Sequence, residues 1–306
     1  MRQNDVDFVA REILNTCSES RDPRILKKAR MEMDETRQSF LETSHGSIAV
    51  EERGQSGITV LMLHGNSFCR GVFRHQFEGR LAAHGRRLIA MDFPGHGQSG
   101  DALDPMRTYT RPGLADAAVE VLQKLQIDEA VVVGWSLGGH VAIDMIARFA
   151  GLRGLMIVGA PPVSRDNMAE GFTGHPHARA AGREQLSATE IDDFVATIMG
   201  EWAEPFIRDA VARADGRFRK RLFEALRTET DYVDQRVTVK NSAVPLAVVN
   251  GVDDPVVNLD YFDKLSYGNL WEGRCHRLPG LGHAPFWQGP DQFDALLERF
   301  LEDLAE

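Results

Sequence analysis

The spacing of apolar positions changes character twice along this chain. Val6, Val9, Ala10, Ile13, Leu14 and Cys17 recur at helical intervals, so the beginning reads as an amphipathic helix. Asp22-Pro23 interrupts it, and a charged stretch from about Arg24 to Phe40 reads as a second helix. Residues 1–43 are therefore expected to form a helical extension. No chemistry is recognisable in it, and removing residues 1–40 is expected to leave catalysis intact.

From residue 44 onward, short β-branched runs alternate with helical stretches. The runs fall at Ser47–Glu51, Thr59–Leu63, Arg87–Met91, Ala130–Val133, Gly154–Val158, Leu246–Val249 and Arg274–Leu278. Helical patterning falls at Leu114–Leu125, Leu137–Phe149, Leu259–Leu265 and Asp291–Leu304. Apolar strands separated by helices predict an α/β fold, a mostly parallel central sheet with helices on both faces. One interval breaks the alternation. Pro161 to about Lys240 has no strand-like run but has helical patterning at Ala188–Met199, Pro205–Ala214 and Arg217–Leu226. Residues 161–240 are expected to be a helical cap, with 44–160 and 241–306 forming the core. Such a cap would cover the carboxyl edge of the sheet, where open α/β sheets bind ligands.

Composition narrows the choice of partner. With 43% apolar and 26% charged residues the chain can bury a large core. The formal charge of −10 comes without any block of Lys or Arg, which argues against nucleic acid or an anionic membrane as partner. Cys17, Cys69 and Cys275 are far apart and in no CxxC pattern, so neither a disulfide framework nor a zinc cluster is expected. The first residues are charged throughout, unlike a secretory signal, and the apolar runs are too short to span a bilayer. A cytoplasmic location is expected.

The most specific chemical signal is Gly134-Trp135-Ser136-Leu137-Gly138, which follows an apolar run and opens a helical stretch. G-x-S-x-G in that context is a nucleophile elbow, whose sharp turn projects Ser136 and leaves no room for a Cβ at either flank. A serine hydroxyl needs a base to become nucleophilic. Of ten histidines, His283 sits in the glycine-flanked loop Gly280-Leu281-Gly282-His283-Ala284-Pro285, after the last expected strand. The base in turn needs a carboxylate to hold its tautomer. Gly251-Val252-Asp253-Asp254-Pro255 supplies two adjacent candidates between Ser136 and His283. Neighbours in an extended loop point in opposite directions, so only one of them can face the imidazole. Asp166 is the next candidate if neither does. An oxyanion requires two backbone N–H donors. Leu137 provides one, and Asn66 in His64-Gly65-Asn66-Ser67 is expected to provide the other. Asp92-Phe93-Pro94-Gly95-His96-Gly97-Gln98-Ser99 lacks a nucleotide-binding pattern and reads as pocket floor. No cofactor is expected. His175-Pro176-His177 is too isolated to make a metal site.

HGNS, DFPGHGQS, GWSLGGH, NGVDDP and GLGHAPF, in this order, resemble the α/β-hydrolase superfamily across residues 44–306. ETSHGSIAV, GWSLGGHVAIDMIAR, RGLMIVGAPPV and YGNLWEG further resemble the metal-independent N-acyl-homoserine lactone hydrolases of that fold, the quorum-quenching lactonases. The resemblance implies a helical cap and a Ser–His–acid triad that opens the homoserine lactone ring. Carried over by position, the triad is Ser136, His283 and Asp254, with Asn66 and Leu137 at the oxyanion hole. Two departures bear on substrate range. Asp254 stands where the resemblance to the lactonases leads one to expect Glu, and Phe194 stands where it leads one to expect a cap tyrosine. Phe172, Phe194, Trp202 and Phe206 are the cap residues expected to cover an acyl chain. A small acyl lactone or ester is thus the expected partner. The rival readings are a carboxylesterase or C–C bond hydrolase acting on another acyl substrate, and a non-catalytic receptor on a hydrolase scaffold.

Overall fold

The computed structural model describes residues 36–83, 86–229 and 232–305. Its centre is an eight-stranded sheet in the order β1-β2-β4-β3-β5-β6-β7-β8. The strands are β1 (Arg37–Thr43), β2 (Gly46–Arg53), β3 (Ser56–Leu63), β4 (Arg86–Met91), β5 (Ala130–Trp135), β6 (Leu152–Val158), β7 (Leu246–Gly251) and β8 (His276–Leu278). From β4 to β8 every pairing is parallel, while β1–β2 and β2–β4 are antiparallel. β5 and β7 are buried along their whole length, as strands covered on both faces must be.

The sheet begins earlier than the hydrophobic pattern suggests. Arg37–Thr43, read above as part of a helix ending near Phe40, is instead an edge strand in hairpin with β2, in register from Arg37↔Glu52 to Thr43↔Gly46. The turn decides this. Gly46 has φ +127°, Thr43 Oγ1 donates to the Gly46 carbonyl at 2.7 Å, and Glu120 accepts from Ser44 N–H and Oγ at 2.9 and 2.7 Å. An edge strand with most of its side chains exposed carries charge and leaves no alternating apolar face to read. The helix expected over residues 6–17 lies outside the described residues. Deleting residues 1–35 should leave turnover unchanged because every candidate site residue lies downstream, whereas a cut at residue 40 removes half of β1. The check is steady-state turnover beside a thermal melt, with loss of activity by the 36–306 protein at unchanged melting temperature as the contrary result.

Helices α1 (Arg111–Lys124), α2 (Leu137–Met145), α3 (Ala188–Met199), α4 (Pro205–Arg213), α5 (Gly216–Thr228), α6 (Gln235–Asn241) and α7 (Pro290–Asp303) carry most of the rest. Between β6 and β7 the described chain adds no strand to the sheet, and its helices α3 to α6 stop and start on local signals. Ser187 and Glu190 form a reciprocal capping box at the start of α3, and the Asp215 and Asp234 side chains cap α5 and α6. The insertion is fastened to loops at the carboxyl ends of the strands. Asp215 accepts from Tyr109 Oη at 2.7 Å and donates its own N–H to the Gly95 carbonyl at 2.9 Å. Trp287 Nε1 donates to the Trp202 carbonyl at 2.8 Å. No helix among the described residues is long and apolar enough to cross a membrane.

Candidate active site

β5 ends at Trp135, and the chain turns into α2 through Ser136 at φ 52°, ψ −116°. A non-glycine residue with positive φ is strained by about 1–3 kcal/mol and must be held there by its surroundings. They do so. Ser136 donates its N–H to the Val158 carbonyl at 2.7 Å, and its own carbonyl accepts from Gly139 and His140. A Cβ on Gly134 would collide with the Gly138 backbone, one on Gly138 with the Leu63 carbonyl, and one on Gly139 with the Ala160 side chain. The three glycines let the elbow close against β3 and β6.

The loop after β8 brings His283, nearly fully buried, to the same place. Its Nδ1 lies 2.7 Å from Asp254 Oδ2. Asp254 Oδ1 accepts from Val256 and Val257 N–H at 2.8 and 3.2 Å, which fixes the carboxylate in the loop after β7. With a carboxylate opposite Nδ1, the network assigns the proton to that nitrogen and leaves the Nε2 lone pair for a base. Asp253 is exposed and ties into the loop only through its N–H to the Leu281 carbonyl at 2.9 Å. Of the two adjacent carboxylates, Asp254 is the one that faces the imidazole. Asp166, the reserve candidate, lies at the surface against Arg236 and Ser164.

Three supporting residues escaped the sequence reading. Trp135 Nε1 donates to the His283 carbonyl at 2.7 Å and links the histidine loop to the elbow strand. Gly159 has φ +59°, and a Cβ there would stand 2.7 Å from His283 Cε1. Asn250 Oδ1 accepts from the Gly159 N–H at 2.9 Å and holds that close approach. Each contact joins segments remote in sequence, so no local pattern announces it.

The turn after β3 is built by two neutral histidines. His64 Nδ1 donates to the Gly65 carbonyl at 2.7 Å, and its Nε2 accepts from Phe93 N–H at 3.0 Å. His96 Nδ1 donates to the Pro94 carbonyl, and its Nε2 accepts from Ser67 N–H at 3.2 Å. Burial pushes His64 down to about 4 and holds His96 well below the usual imidazole range. Both therefore stay uncharged, keeping a donor on one nitrogen and an acceptor on the other. Ser67 N–H is taken by His96 and Phe68 N–H by the Gly65 carbonyl, whereas Asn66 N–H has no acceptor among the described residues. Leu137 opens α2, so its N–H has no intrahelical acceptor either. Behind them Asp92 accepts from Arg70 N–H at 2.6 Å, from Gln98 N–H at 2.8 Å and from the Arg70 guanidinium. This fixes the DFPGHGQS turn, none of whose residues lines the cavity, so it supports the site from outside and is not its floor.

Ser136, His283, Asn66 and Leu137 all line one cavity of about 310 Å³ under the insertion. Its wall is largely apolar, including Phe68, Phe172, Phe194, Ile198 and Leu222. Of the four aromatic residues expected over an acyl chain, Phe172 and Phe194 line this cavity and Trp202 and Phe206 do not. Trp202 is 39% exposed, and Phe206 packs edge-on to Trp287 at 5.6 Å beneath the Arg74 guanidinium. The Trp202 carbonyl, which accepts from Trp287 Nε1, and the Phe206 ring fasten the insertion to the segment Pro285–Gln288. His140 and Arg111, polar members of the wall, had no supporting pattern in the sequence.

Comparison with known proteins agrees with this fold. A model of the alpha/beta hydrolase family matches residues 60–296. Pimeloyl-[acyl-carrier protein] methyl ester esterase of Yersinia pseudotuberculosis serotype IB (strain PB1/+) is 29% identical over 269 residues, covering 82% of this chain and 95% of its own. The AB hydrolase superfamily protein YisY of Bacillus subtilis (strain 168) is 24% identical over 273 residues, covering 84% and 96%. Among solved structures, N-acyl homoserine lactonase AidH complexed with N-butanoyl homoserine is 47% identical with a TM-score of 0.86, over 88% of this chain and 98% of that one.

Proposed function

The chain belongs to the α/β-hydrolase family, and from that premise we propose that it is a serine hydrolase that opens the lactone ring of N-acyl-homoserine lactones. The observation that carries the reading is the likeness to the homoserine lactonase, 47% identical over nearly its whole length, joined to an apolar cavity that meets Ser136 and His283.

In this reading His283 Nε2 takes the Ser136 proton as Oγ attacks the lactone carbonyl. Asp254 holds the ring and stabilises the imidazolium. Asn66 and Leu137 N–H receive the oxyanion; losing one such donor typically costs about 10²–10³ in turnover. His283 then protonates the departing ring oxygen. That alcohol stays tethered to the acyl group, so water must capture the acyl-enzyme before the ring closes again. Residues 161–240 act as the cap, with Phe172 and Phe194 against the acyl chain. A phenylalanine at 194 offers the chain a face but no hydroxyl.

The esterase reading has its own support in the relatives named methyl ester esterases. A panel of N-acyl-homoserine lactones of several chain lengths, set beside p-nitrophenyl esters, separates the two. Ring opening should add one water to the mass and release a proton at neutral pH. It should also survive a chelator, since the proposed chemistry runs through the triad side chains and two backbone N–H groups. A protein that cleaves the esters but leaves every lactone intact is an esterase. Activity lost on chelation and restored by zinc contradicts the triad mechanism.

A further inference from the structure

One buried polar chain at the cavity wall has no part in that mechanism. Arg111 and Asp144, both nearly fully buried, form an ion pair with Nε 3.5 Å from Oδ2. Gln235, wholly buried at the start of α6, donates from Nε2 to Asp144 Oδ1 and to the His140 carbonyl, each at 2.8 Å. Its Oε1 lies 2.7 Å from His140 Nδ1. The donor assignments follow from chemistry. A carboxylate and a carbonyl can only accept, so both amide hydrogens of Gln235 are committed to them. Oε1 must then accept, and His140 Nδ1 must carry the proton. Nε2 is left as a bare acceptor, and no described residue donates to it.

That acceptor is placed for use. His140 lines the same cavity as Ser136 and His283. It follows Ser136 by four positions on α2, one turn along the same face, and helical side chains lean back toward the N-terminus. Burial pushes its imidazole down to about 4, so the ring is neutral at working pH and the lone pair persists. Most of the surrounding wall is apolar, where a donor arriving with the substrate finds few other acceptors.

We propose that His140 Nε2 is a specificity-determining acceptor that receives the amide N–H of the substrate, the group two bonds from the lactone carbonyl carbon. The proposal rests on the lactonase reading and deepens it. Gln235 is then a positioning residue that sets the tautomer of His140. A lactone without an N–H at this place leaves the acceptor unpaired against a largely apolar wall, a fault that binding sites penalise strongly.

The test compares an N-acyl-homoserine lactone with its carba analogue, in which CH2 replaces the amide N–H at the same size. Wild type should favour the N–H lactone in kcat/KM by about tenfold or more. His140→Phe should bring the ratio toward one, mainly through loss on the N–H lactone. His140→Gln, which again offers a carbonyl acceptor, should recover part of it. Melting curves establish that each variant is folded, and the wild-type ratio needs no variant. A wild-type ratio near one, or equal loss on both lactones in His140→Phe, overturns the assignment while leaving the lactonase reading standing. Wild type that opens neither lactone yet cleaves simple esters ends the lactonase reading, and this proposal with it.

Discussion

Asp254→Asn is expected to lower turnover by roughly 10⁴, the effect of the equivalent change in serine proteases, while Asp253→Asn costs less than about tenfold. The two residues are adjacent and carry the same charge, so composition cannot separate them. Their surroundings do. The N–H groups of Val256 and Val257 both aim at one oxygen of Asp254. In the asparagine variant they hold the amide oxygen on their side and turn the NH2 toward His283 Nδ1. That nitrogen must then offer a lone pair, which moves the ring proton to Nε2, where it faces Ser136 instead of accepting from it. Shape is conserved while the base is disabled. Asp253 is exposed and its side chain makes no described bond to the imidazole, so its loss removes only a distant charge. Steady-state kinetics of both variants, after a check of their melting curves, decides the matter. A dead Asp253→Asn beside an active Asp254→Asn places the acid one residue earlier.

Ser136→Ala should have the larger effect, about 10⁶ in turnover by comparison with other serine hydrolases. The residual activity would come from the oxyanion donors and binding alone. Alanine meets the same positive φ as serine and keeps the Val158 and Gly139 hydrogen bonds, which are backbone contacts, so the melting temperature should hardly move. A variant that retains substantial turnover assigns the attack to another group.

What the chain disclosed in advance follows a physical division. β5 and β7 are covered on both faces and must be continuously apolar, so they stood out, as did the elbow, whose glycines answer to backbone collisions within a few residues. β1 hid because an edge strand is mostly solvated on both sides. Asp254 could be preferred over Asp253 only through resemblance, since the orientation of a loop side chain depends on which N–H groups close around it. Trp202 misled because an aromatic side chain says nothing of its own exposure, and this one stands in solvent; Phe206 misled for the opposite reason. Apolar periodicity reports that a face is buried without saying whether a ligand or a neighbouring helix buries it. The contacts of Trp135 with His283 and of Gln235 with His140 join residues 148 and 95 positions apart, and only the folded chain brings them together.

Acid quench of the protein during turnover of N-hexanoyl-homoserine lactone, followed by peptide mass mapping, tests the central claim most directly. The leaving alcohol stays attached to the acyl group, so the trapped enzyme should gain the mass of the entire lactone, on the peptide that contains Ser136 and nowhere else. Ring opening that leaves its adduct on a different side chain, or that proceeds at full rate in Ser136→Ala, would contradict the account.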